Sequence, residues 1–100
     1  MTDEILIKPG LLANHGWQFD VTVSGQHHRI LCTQPYWHKI SHGEISPMDV
    51  VRLGLELGLK HRALDNMPDQ FALDHLELRI HNFEKQLRLA AQTEAAGSPR

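Results

Sequence analysis

One hundred residues with ten Lys plus Arg against twelve Asp plus Glu carry a formal charge of −2 and no run of like charges, which argues for one domain and against a dedicated nucleic-acid surface. Charges interrupt every apolar stretch, so no segment reads as membrane-spanning, and the acidic start MTDEILIKPG lacks the positive n-region of a secretory signal. The one cysteine, Cys32, excludes an internal disulfide and Cys-based zinc motifs, and the expected setting is a reducing cytoplasm.

In chain order, Glu4 to Lys8 is a short β-branched run that reads as a strand ended by Pro9 and Gly10. Leu11 to Ala13 then lead into a turn at Asn14, His15 and Gly16. Trp17 to Val23 alternates strictly, with Trp17, Phe19, Val21 and Val23 on one side and Gln18, Asp20 and Thr22 on the other, the pattern of a half-buried strand. Ser24 and Gly25 are turn residues, and Gln26 to Thr33 returns as the second arm of a β-hairpin. A two-residue turn there sets Asp20 opposite Arg29, Phe19 opposite Ile30 and Trp17 opposite Cys32, whereas a turn at Gly25 and Gln26 keeps the same residues inside and loses the Asp20–Arg29 pairing.

Thr33 caps a short helix with Pro35 in its first turn and Gly43 as its stop, docked by Tyr36, Trp37 and Ile40. A stronger start follows: Ser46 as N-cap, Pro47 at the first position, Asp49 at the third, and Ile45 with Val50 as a hydrophobic staple. This helix should be mostly buried and end near Asp65 and Asn66, before Pro68. Met48, Val51, Leu55 and Leu59 form one flank, and Val50, Leu53, Leu57 and Leu64 another. Between them, Gly54 and Gly58 make a flat face where a sheet or helix comes close, while Arg52, Glu56 and Lys60 form a solvated ladder. Phe71 to Leu73 is a short anchor. A last helix should start at Asp74, with Glu77 completing a capping box, Leu73 and Leu78 as staple, and Leu76, Ile80, Phe83, Leu87 and Ala90 as its seam. The reading is one α+β domain over residues 1–92: a three-stranded antiparallel meander, a short helix and two longer helices on one face. Residues 93–100 read as a flexible tail.

Eight histidines are the compositional oddity. His38 and His42 share a helical face and are the candidate metal ligands, although H-K-I-S-H lacks the Glu of a zinc-protease motif. His27 and His28 point to opposite sides of their strand, and His28 falls on the apolar side with Cys32. A base–nucleophile pair of these two is too widely spaced for direct hydrogen bonding. Nucleophile-elbow, P-loop and dinucleotide motifs are absent from the sequence. The preferred expectation is a small cytosolic, non-catalytic interaction or regulatory protein acting as a homodimer, without cofactor. Its interface is expected to involve Leu53, Gly54, Leu57, Gly58, Phe83 and Leu87, because a small sheet cannot cover every apolar helix face. The alternative is a minimal histidine-dependent enzyme or metal-binding protein using His27, His28, His38 or His42.

Overall fold

Strict alternation in Trp17 to Val23 produces a central strand of a four-stranded sheet in the computed structural model, which describes residues 5–13, 15–65 and 67–96. Strands β1 (Ile5–Ala13), β2 (Gly16–Val23) and β3 (Gln26–Thr33) form the expected antiparallel meander. The hairpin turns on Ser24 and Gly25, with φ of 50° and 84°, the paired positive values of a type I′ turn whose twist matches its strands. Phe19 faces Ile30, Asp20 faces Arg29 and Trp17 faces Cys32. Phe19, Val21, Val23, Ile30 and Cys32 are therefore all buried on the inner face.

β1 runs past its expected end. A register shift between Lys8 and Leu11 takes up Pro9 and Gly10 as a bulge, and pairing resumes at Leu11 with Gln18; an edge strand tolerates Pro at such a site. Gly16 opens β2, where a Cβ would collide with the Cys32 carbonyl oxygen. Glu4 and Asn14 lie outside the described residues. A fourth strand, β4 (Gln70–Ala72), joins β3 in parallel and replaces the expected anchor. Its three residues are too few to show alternation, and a parallel neighbour needs a long crossover, here the two helices between β3 and β4.

Helix α1 (Gln34–Ser41) starts as expected, with the Thr33 hydroxyl accepting from the Tyr36 amide at 3.3 Å. It stops when His42 takes a left-handed φ of 54° just before Gly43. Trp37 docks it, meeting Trp17 edge-to-face at 5.4 Å and donating from its indole to the Ile45 carbonyl at 2.8 Å. Helix α2 (Pro47–Lys60) has the expected cap, the Ser46 hydroxyl accepting from the Asp49 amide at 3.1 Å. Its expected end is corrected: it closes at Lys60, well before Asp65. Arg62 turns left-handed at φ 56°, and the Ala63 amide donates to the Gly58 carbonyl at 2.8 Å, a Schellman-type reversal. Leu64 thereby folds back onto Gly58, where a Cβ would stand 2.9 Å from its Cγ.

The last expected helix divides in two. Leu73–Leu78 is a 3₁₀ helix preceded by Ala72 with no side-chain cap, so the capping box at Asp74 and Glu77 does not form. The staple fails as well, since Leu73 is fully buried while Leu78 is 80% exposed. The chain then reverses through Asn82 at φ 58° into α3 (Phe83–Ala96). Arg79 fixes this break by donating from Nη1 to the Asp65 carbonyl at 2.8 Å, and Ile80 and Asn82 are weak helix formers. The expected seam nonetheless packs inward: Leu76, Ile80, Phe83 and Leu87 are all buried, with Ala91 in place of Ala90 as the last core position. α3 continues through Thr93 to Ala96, beyond the expected composition break.

Arg52 also departs from expectation. It donates to Glu94 at 3.0 Å, as well as to Asp49 at 3.4 Å and Glu56 at 3.3 Å, tying α2 to α3. Helices α1 and α2 and the 3₁₀ helix pack on the inner sheet face with the apolar core between, and α3 packs on those three in turn. Among the described residues no helix is long and apolar enough to cross a membrane.

Candidate functional site

Period-two geometry that turns Phe19, Val21 and Ile30 inward necessarily turns their neighbours outward. Register then builds the outer face in rows across the sheet. The central row reads Lys8, Asp20, Arg29, Gln70; one flanking row contains Leu6, Thr22 and His27, the other Gln18, Leu31 and Ala72. None of these residues belongs to the core cluster. Arg29 Nε donates to Asp20 Oδ1 at 3.3 Å, and His27 Nε2 lies 3.9 Å from the same oxygen. Leu6 stands 54% exposed beside this charged row. The sheet thus offers a broad open surface of alternating sign with apolar residues at its margins.

Strand alternation sends His28 the other way, into the interior, at 4% exposure. Its Nδ1 is 3.0 Å from the Pro68 carbonyl oxygen. A carbonyl can only accept, so Nδ1 carries the proton, and in the neutral ring Nε2 is left as an acceptor. Phe71 packs on the ring edge at 5.6 Å. His28 also lines a pocket of about 250 Å³ between the hairpin end and the end of α2, together with Val23, Gln26, Leu59, Arg62 and Asp65.

Cys32 lies four positions further along β3, about 13 Å at a strand's rise of about 3.3 Å per residue. Its side chain is fully buried, and burial, reinforced by the Asp74 carboxylate, pushes the thiol up to about 12. At neutral pH it is a thiol, and no direct His28–Cys32 dyad exists.

His38 and His42 end up on one side of the α1 terminus, their ring centroids 6.1 Å apart. Both are exposed, and among the described residues no group of three or more His, Cys, Asp or Glu is placed to hold a metal ion. The pair can therefore offer two imidazoles, short of the three or four protein ligands of a zinc site.

The flat face expected at Gly54 and Gly58 is present, and the same chain occupies it. A Cβ on Gly54 would stand 2.7 Å from Leu73 Cδ1 and 3.4 Å from Phe83 Cζ. Leu53, Phe83 and Leu87 are buried in the core of the single chain, and Leu57 is half-buried against it. The close approach that the glycines permit is intrachain packing, so the outer sheet face replaces these six residues as the candidate docking surface.

Two elements of these sites escape sequence reasoning. Lys8 aligns with Asp20 only when the strand continues through a bulge. Arg62 carries no sequence signal, because a left-handed helix stop is sought at Gly or Asn. No family model, no curated protein and no solved structure matches this chain.

Proposed function

We propose that this chain is a small non-catalytic interaction or regulatory protein of the cytoplasm that works as a homodimer, assembled by stacking the outer sheet faces of two copies. The sign order of the central row carries this reading. A two-fold axis parallel to the strands and midway between β2 and β3 exchanges the two central positions of Lys8, Asp20, Arg29, Gln70. Asp20 of one copy then faces Arg29 of the other, twice over, while Lys8 faces neutral Gln70. A C2 interface requires such self-complementarity, and opposed charges fix its register.

The face is modest. Three strands about 4.8 Å apart and about eight residues long at about 3.3 Å each, with the three residues of β4 beside them, give roughly 430 Å² per copy, below the standard of about 800 Å². The association is therefore reversible and salt-sensitive, in the micromolar range or weaker. Sedimentation equilibrium at low salt, from about 10 to about 500 μM, should show a mass climbing from 11.4 kDa toward twice that value. A mass fixed at 11.4 kDa throughout overturns the dimer.

A histidine-dependent enzyme or metal-binding protein is the second reading. His28 favours it, as a buried imidazole of fixed tautomer lining a pocket.

A further inference from the structure

Four described residues other than glycine adopt positive φ: Ser24, His42, Arg62 and Asn82. His and Asn are enriched in the left-handed region, whereas Ser and Arg are not. Ser24 and Arg62 come from different elements, and both line the same pocket between the hairpin end and the end of α2. Arg62 occupies the C′ position of α2, the place glycine fills without strain. Its retention there serves helix termination worse than glycine would, and residues held in such backbone conformations cluster at ligand sites.

We propose that this pocket binds a small α-amino or α-hydroxy carboxylate. The site shares the His28 pocket of the second reading and is independent of the homodimer. Arg62 supplies a planar cationic fork for the carboxylate at the rim. His28 waits inside with Nδ1 committed to the Pro68 carbonyl, so its Nε2 accepts from the ligand's N–H or O–H. Asp65, also on the lining, would offer its carboxylate to the ammonium of an amino acid, while Val23, Leu59 and Leu64 supply an apolar wall. At about 250 Å³ the pocket lies just under the usual range for drug-sized ligands and holds a molecule of a few heavy atoms, not a nucleotide.

The test is an amide-correlation NMR titration of the full chain with L-serine, L-lactate and acetate. Saturable shifts at Ser24, His28 and Arg62 with serine or lactate support the site, and the stronger of the two names the α-substituent. Acetate has no donor for His28 and should bind roughly ten-fold more weakly, the cost of about one hydrogen bond. Arg62→Gly is the decisive variant: it relieves left-handed strain, so its Tm should rise while the serine and lactate shifts disappear. Absence of saturable shifts with both ligands overturns the proposal. So does Arg62→Gly binding as tightly as the parent chain, or acetate matching serine and lactate.

Discussion

Cys32 illustrates how burial decides the chemistry of one side chain. It sits fully enclosed on the inner face of β3, and its thiol is pushed up to about 12 by burial first and by Asp74 second. Only the thiolate alkylates quickly, so native protein at neutral pH should resist iodoacetamide and label only at the rate of unfolding. Rapid labelling of folded protein would contradict the burial. The stability consequence has a definite sign. An unfolded thiol ionises near 9.0 while the native one holds its proton to about 12, so the native state binds more protons between those values. Stability therefore falls as pH rises through that window. The Tyr36 phenol shifts the same way, through burial first and Glu77 second. Urea titrations from pH 8 to 11 should show the loss, and Cys32→Ala should flatten the slope; an unchanged slope would remove Cys32 as its source. At this scale the caps were legible, because the Thr33 and Ser46 hydroxyls bond amides three residues on. Asp74 has the same local pattern and fails, because Leu73 and Leu76 must both be buried where a 3₁₀ turn brings them together.

Among the elements, α2 carries the most consequential packing. Its inner face is flat at Gly54 because Leu73 and Phe83 occupy the space a side chain would need. Gly54→Leu should cost about 3 kcal/mol or more by overpacking, lowering Tm by roughly 12 °C or more for a domain of this size. Arg52→Ala breaks three partly exposed ion pairs, one of them across to α3, and should cost about 0.5–1 kcal/mol. Thermal unfolding of the two variants checks the order, and equal losses would mean that the helix is facing the wrong way. Periodicity revealed the buried faces of α2 and the seam of the last helices, since it reports which residues go inside. It did not reveal where those helices stop. The break at Arg62 is closed by a local backbone bond, Ala63 to Gly58, without the Gly or Asn that would mark it in the sequence, and the break at Asn82 is accompanied by a bond between elements, Arg79 to Asp65, whose partner the sequence pattern cannot name.

For the whole molecule, the consequence of placing all helices on one sheet face is an outer face left to solvent or to a partner. The hairpin register was legible from alternation and the Ser24–Gly25 turn. The outer row was not, because it needs the bulge that aligns Lys8 and the parallel strand that adds Gln70. Both arise from contacts distant along the chain. The expected leucine and glycine interface disappears for the complementary reason: Leu73 and Phe83 cover Gly54, and Leu64 covers Gly58, within the monomer. What remains for self-association is a surface of alternating charge, and its symmetry makes a sharp demand. Asp20→Arg and Arg29→Asp should each abolish the homodimer by setting like charges across the two-fold. Mixed together, the two variants should associate. The arginine introduced in the first variant then meets the aspartate introduced in the second, and the first variant's native Arg29 meets the second's native Asp20. The intrachain pairs stay broken in the mixture, so recovery reports the interface alone. Sedimentation of the equimolar mixture is the most direct test: the two-fold arrangement predicts dimer in the mixture and monomer in each variant alone, and a monomeric mixture beside a dimeric parent would contradict it.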